Sequence, residues 1–409
     1  MLDRIWAAFF FAAFVAALVQ SLVLGHTAVW ADMVGAAFEM SKTAFEIALG
    51  LTGVMCLWLG IMKVGERGGA VEWLARAFGP LLRRLFPGIP PGHPATGSIV
   101  MNMAANMLGL DNAATPLGLK AMKELQELNP SPDTATDDQI LFLVLNTSAV
   151  TVIPVAIFTY RATLGAADPT DVFLPLLIAT TCSTLTGLVV TALVQRLRLW
   201  DPVILAYVFG LIALVGGLVA WFSRLDREAM ERQSSLLSNF LIFGVIIAFM
   251  ALAVGRRVPL YETFVEGAKE GFSVAVGIIP YLVAMLVAIG VLRSSGVLDL
   301  VLDAVRWTVT ALGLDTRWVD GLPTALMRPL SGAGARGMMI ETMKTHGVDS
   351  FAGRLASIVQ GSTETTFYVL AVYFGSIGVR RTRHAVGCGL AADVAGFLGA
   401  VLVTYLFFG

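Results

Sequence analysis

The run Gln360-Gly361-Ser362-Thr363-Glu364-Thr365-Thr366 places a carboxylate and four hydroxyls inside a stretch that otherwise reads as a membrane span, with almost wholly apolar residues at 351–359 and 367–374. A Glu at bilayer depth costs roughly 2.5–3.5 kcal/mol on insertion scales, so it is retained where it faces a polar cavity or a partner. In such a place Glu364 can titrate or hold a cation, while Gln360, Ser362, Thr363, Thr365 and Thr366 can ligate a small polar solute. An earlier run, Leu145-Asn146-Thr147-Ser148-Ala149-Val150-Thr151, has a related shape at the same place in its own span. Two polar interruptions at matching places in two halves point to a transport-type site. The plainer alternative is a hydrogen-bonded knot that joins helices, since Ser, Thr and Glu all bridge helices in membranes.

Further polar residues sit close to these runs. Asn102 and Asn106 are four apart and so share one helical face. They line the inner side of a hairpin or act as glue between helices. Asp111 and Asn112 follow, as turn chemistry or as ligands. Thr115 before Pro116 is expected to cap a new helix, whose free amides could hold an anion. In the second half, Arg328 and Ser331 lie in a Gly-rich break at 327–337. Arg328 and Arg336 either meet an anionic substrate or neutralise Glu364 and Asp393 from within, and Asp393 itself lies inside the last span.

Composition bounds what these residues can serve. Of 409 residues, 57% are hydrophobic and 14% charged, with a mean hydropathy of +0.78. Soluble domains carry nearer a quarter charged residues, so this is a polytopic membrane protein held in a lipid bilayer. A net charge of −1 offers no basic face for nucleic acid. Three cysteines and four histidines are scattered without metal-ligand spacing, so neither metal nor cofactor is expected. The first apolar run lacks a small-residue cleavage site and is read as a retained helix.

A span needs about 20 apolar residues. The pattern predicts spans at 4–25, 44–64, 139–160, 172–195, 202–223, 233–255, 271–292, 354–375 and 385–408. Two segments, 71–86 and 297–309, are amphipathic and suit the membrane interface. Two others, 97–128 and 322–343, are broken by Gly, Pro and polar residues into arms too short to cross. They read as re-entrant hairpins, whose tips need protein or water around them. The fold class is therefore all-α, with about nine transmembrane helices, two re-entrant hairpins and two interfacial helices.

Both halves run in one order: span, amphipathic helix, broken hairpin, polar-centred span, span. Asn146, Thr147, Ser148, Ala149 and Thr151 align with Gly361, Ser362, Thr363, Glu364 and Thr366, and Thr184 and Gly187 align with Asp393 and Gly396. The repeats are placed at 1–225, which includes a linker helix, and at 233–409. An odd number of crossings separates equivalent helices, so the halves are inverted. Arg67, Arg76, Arg83, Arg84, Arg196, Arg198, Arg256, Arg257, Arg380, Arg381 and Arg383 collect on one side, which the positive-inside bias makes cytoplasmic together with the N-terminus.

At these residues the chain resembles a known family. Residues 97–106 and 112–118, with Leu145-Asn146-Thr147-Ser148, are similar to the spore maturation protein A family. Leu326 through Gly332, Thr345-His346-Gly347 and 360–368 look like its B counterpart. Both belong to the nucleoside-recognition, or Gate, group, distantly similar to parts of concentrative nucleoside transporters and of ferrous-iron transporter B. The family often occurs as two chains; here both parts are joined. The resemblance implies a multi-pass protein of the bacterial inner membrane, and its name implies nucleosides and, in some members, spore formation.

Together these readings lead to the expectation of a secondary transporter of a small polar or anionic solute, coupled to H+ or Na+ and possessing a midplane site. The alternative is a non-transporting module that recruits or stabilises a partner in envelope maturation. A homo-oligomer is compatible with either. No nucleotide-binding loop is present, and neither H-E-x-x-H nor G-x-S-x-G occurs, so an enzyme is not expected.

Overall fold

The computed structural model describes residues 2–107, 111–148, 151, 154–197, 200–222, 224–225 and 227–409. Among them the protein is all-α, its single β feature being one isolated bridge between Thr134 and Arg381. The chain opens with α1 (Leu2–Val23) and α2 (Val29–Gly68), followed by the amphipathic α3 (Ala70–Leu85). Two arms, α4 (Pro94–Met107) and α5 (Asp111–Glu127), fold back on each other as the first hairpin. The polar-centred span is two pieces, α6 (Asp137–Thr147) and α7 (Val155–Thr163). Then come the apolar helices α8 (Phe173–Gln195), α9 (Pro202–Phe222) and α10 (Arg227–Gly255).

The second half repeats that order. A span joined at Ile278 comprises α11 (Leu260–Gly277) and α12 (Ile279–Ser294), and the amphipathic α13 (Val297–Ala311) follows it. After a 3-10 turn, α14 (Leu322–Met327) and α15 (Gly332–His346) form the second hairpin. The second polar-centred span is again split, into α16 (Phe351–Ser362) and α17 (Thr366–Ser376), before α18 (Ala385–Phe408).

Among the described residues, seven helical stretches are long and apolar enough to cross a membrane: 6–23, 29–68, 173–195, 202–222, 232–255, 260–294 and 385–408. They correspond to seven of the spans expected from sequence. The other two, 139–160 and 354–375, are the interrupted α6/α7 and α16/α17. Two spans are longer than their apolar windows. The second begins at Val29 because Asp32, Glu39, Lys42 and Glu46 all lie on its exposed side, where Lys42 and Glu46 pair one turn apart.

Local chemistry sets the helix ends. Thr136 and Gln139 form a reciprocal capping box at the start of α6, satisfying two otherwise orphaned amides. Ser331 caps α15 by accepting from the Gly334 N–H at 3.0 Å. That cap narrows the expected break at 327–337 to a few residues: Gly332, Gly334 and Gly337 lie inside α15. Any Cβ at Gly334 would fall 2.4 Å from the Met327 methyl, so glycine there serves close packing within the hairpin.

By contacts the chain forms two compact units, each drawn from both sequence halves. One holds residues 1–57, 156–169 and 268–360; the other holds 58–155, 170–267 and 361–409. The core of the second unit joins α4, α5, α6 and α17 through buried residues such as Ile99, Met122, Phe142 and Phe374. That of the first gathers Met285, Ile289, Met327 and Met338 from α12, α14 and α15.

Candidate functional site

The polar residues converge in the second unit, where the two helix breaks meet. At the end of α6, the Ser148 N–H and hydroxyl both donate to the Val144 carbonyl, at 3.0 and 2.8 Å. The Thr147 carbonyl lies in the last turn of α6, next to this break. The Glu364 N–H, in the break between α16 and α17, donates to it at 2.7 Å. One backbone hydrogen bond thus ties the two interruptions together.

Helices α8 and α18 hold these breaks in place and run antiparallel. The Gln195 side chain at the end of α8 lies 3.0 Å from the His384 ring at the start of α18, while Gly399 faces Ala179 and Cys182 further along. Two glycines allow the approach. A Cβ at Gly187 would meet the Ser148 hydroxyl at 3.1 Å and Ala392 at 3.2 Å; one at Gly396 would meet Thr363 at 2.6 Å and Ser183 at 3.2 Å. Since Ser148 aligns with Thr363, and Ser183 lies at the position of Ala392, these contacts are the same pair seen from either half. Ser183 also donates to the Ala392 carbonyl at 2.9 Å, and Thr184 donates to the Ser148 carbonyl.

Asn102, Asn106 and Asn146 form a closed cluster. The Asn146 amide donates to Asn102 Oδ1 at 2.6 Å, and the Asn106 amide donates to Asn146 Oδ1 at 2.9 Å. Asn102 in turn donates to the Ala114 carbonyl at 2.7 Å, fastening α4 to α5. The Tyr373 hydroxyl, on α17, lies beside Asn102 and within electrostatic reach of Glu364. On the other side, buried Asp393 accepts from the Thr366 hydroxyl at 2.7 Å. Glu364 is half-buried, whereas Thr147, Ser148, Ser362, Thr363, Thr365 and Thr366 are buried.

Other expected residues are placed differently. Thr115 is exposed in the middle of α5, and Pro116 lies inside that helix. The helix runs from Asp111 instead and carries Pro116 at the loss of one backbone bond. The side chains of Asp111 and Asn112, and the hairpin tip at 108–110, lie outside the described residues. Arg328, Ser331 and Gln360 belong to the first unit. There Arg328 and Ser331 are buried around the α14–α15 break, and Gln360 Oε1 finds no hydrogen bond among the described residues.

Loops fasten the broken spans at their ends. In the second unit the Arg380 and Arg381 amides donate to the Asp133 carbonyl at 2.9 Å, and Arg383 pairs with Asp137 at 2.8 Å. Beside them burial pushes the Asp138 carboxyl up to about 6, an effect reduced by the Gly88 N–H that it accepts and reinforced by Asp137. Burial and the Arg383 charge push His384 down. In the first unit Arg161 is fully buried. It donates to the Val348 carbonyl and to Asp349 Oδ1, both at 3.0 Å, while Asp349 also accepts from the Ala167 N–H. The sequence reading missed Tyr373, Ser183 and Arg161. For Arg161 the available signal was a charge directly at the end of an apolar run, followed by acidic residues at 168 and 171.

With this geometry in view, the comparisons with known proteins are specific. Residues 48–164 and 275–380 match the model of the Gate family, described as nucleoside recognition. The two matched stretches take in α6/α7 and α16/α17, that is, both broken spans. The chain is 45% identical over 174 residues to spore maturation protein B of Bacillus subtilis (strain 168), covering 42% of this chain and 91% of that protein. It is 40% identical over 159 residues to spore maturation protein A of the same organism, covering 39% of this chain and 81% of that protein. No solved structure matches. A family pattern that appears twice, each time around an interrupted helix, and relatives of both kinds together assign the chain: it belongs to the Gate family, as a multi-pass membrane protein consistent with spore maturation proteins A and B joined in one polypeptide.

Proposed function

We propose that the protein is a secondary transporter of a small polar or anionic solute, driven by a proton or sodium gradient, with its site where the two helix breaks meet. The observation that carries this reading is the Glu364 N–H to Thr147 carbonyl bond, which joins two interrupted helices among buried hydroxyls. Broken helices expose free backbone groups and dipole ends that can bind ions or solutes. Glu364, half-buried beside the buried hydroxyls of Ser362, Thr363 and Thr366, is the group that would titrate or hold the cation. Nucleosides, which the family description names, are one member of the solute class. The reading includes placement in the bacterial inner membrane with the N-terminus in the cytoplasm.

The test is uptake by proteoliposomes under an imposed proton or sodium gradient, with nucleosides and small carboxylates as solutes. Glu364→Gln should abolish gradient-driven accumulation while leaving the melting temperature of the purified protein unchanged. Equal accumulation by both forms defeats the coupling role.

A second reading is a non-transporting membrane module that recruits or stabilises a partner. It is favoured by the mutual satisfaction of Asn102, Asn106 and Asn146, which is what a structural knot requires. The two readings part on solvent access. A cysteine at Ser362 or Asn146 should react with a membrane-impermeant thiol reagent if solute passes there, and stay inert in a knot.

A further inference from the structure

A separate cavity lies at the end of the amphipathic helix α3. It has a volume of about 970 Å³ and is lined by Arg83, Arg84 and Arg196, by the apolar Phe86 and Ile204, and by Trp200. That volume is at the top of the range for ligand pockets. The two arginines of α3 fall in its last turn, and Arg196 ends α8 in a left-handed conformation, φ 54°. Asp201 is the one acidic residue on the lining among the described residues. It sits 3.6 Å from Arg84, whose side chain is 60% exposed, and a pair so exposed neutralises little. The cradle therefore keeps a net positive charge.

Its surroundings indicate what that charge faces. Helix α3 has a polar outer side, with Glu72, Arg76 and Arg83 exposed, and a buried side of Val71, Leu82 and Leu85, the pattern of a helix lying in the headgroup layer. Helix α9 starts beside the cradle at Pro202 and packs on α3, where the Tyr207 hydroxyl donates to the Ala77 carbonyl. Almost none of α9 is covered by the protein: Phe209, Ile212 and Leu214 are all exposed. Trp200, 86% exposed at the rim, has the amphipathic ring that settles at a membrane interface.

We propose that this cradle binds an anionic phospholipid, its phosphodiester held by Arg83, Arg84 and Arg196 and its acyl chains lying along α9. Guanidiniums suit phosphate because their forked donors match its oxygens. A soluble anion would use the arginines without the adjoining apolar track, and an acidic protein segment would not need a helix bare to lipid.

Native mass spectrometry of the full chain, purified in neutral detergent and titrated with phosphatidylglycerol or with phosphatidylcholine of the same acyl chains, tests this. Wild type should retain phosphatidylglycerol in preference. The variant R83Q/R84Q/R196Q should lower that retention by about tenfold or more, since each cation near the surface contributes separately. A charge-matched variant away from the cradle, R67Q/R256Q/R317Q, should retain it as wild type does. Equal retention of the two lipids by wild type, or equal losses in the two variants, overturns the proposal. So does displacement of the lipid by excess inorganic phosphate, which marks a site for soluble anions. Should the cradle variant fail to fold, photo-crosslinking of wild type with a headgroup-diazirine phosphatidylglycerol decides. Adducts within 83–91 and 196–204 support the assignment, and adducts confined to other segments refute it.

Discussion

Asn146 serves two partners at once, donating to Asn102 and accepting from Asn106 while itself buried. Truncating it leaves both partners short of a hydrogen bond inside a buried cluster, at a cost of about 1–2 kcal/mol. Asn146→Ala should therefore lower the melting temperature in detergent by several degrees, and an unchanged value would mean that the cluster stabilises nothing. The four-residue spacing of Asn102 and Asn106 already disclosed their shared face. Their third member, forty residues away, was legible only as a polar centre and not as a partner, because sequence spacing carries no information on which helices meet. Thr115 shows the opposite error. Thr before Pro is a sound helix-start signal, but the helix already runs from Asp111 and continues through Pro116.

At the scale of elements, the antiparallel pair α8 and α18 is as close as its glycines permit. Gly396→Val should drive α18 away from Thr363, whose methyl lies 2.6 Å from the new Cβ, and from Ser183 at 3.2 Å. Overpacking of this kind costs about 1–3 kcal/mol, seen as a lower melting temperature. A Cβ added at Gly387 on the same helix would have nothing within 4 Å, so Gly387→Val is the control that should change little. Loss of stability in both would point to backbone propensity in place of the crossing. The order of elements was readable in each half, since apolar windows, amphipathic stretches and breaks depend on local composition. Helix ends were less so. Charged residues such as Asp32 and Glu39 stop a hydropathy window but not a helix, which is why α2 begins fifteen residues before the predicted span.

For the whole molecule, two broken spans added to the seven apolar stretches among the described residues give an odd number of crossings, so the termini should lie on opposite sides of the membrane. Epitope tags at the two ends, probed in intact cells and after permeabilisation, check this. The N-terminal tag should be shielded and the C-terminal one reachable from outside; both on one side would refute the inverted arrangement. The loop fastenings could not be foreseen, because the Arg383–Asp137 and Arg161–Asp349 pairs join residues more than 180 positions apart. The bond between Glu364 and Thr147 has a consequence for any organism that encodes the two parts as separate genes. Each polypeptide would emerge from synthesis without the backbone bond that ties its helix break to the other's. Neither product should persist alone, and their amounts in the cell would be matched by mutual protection from proteolysis.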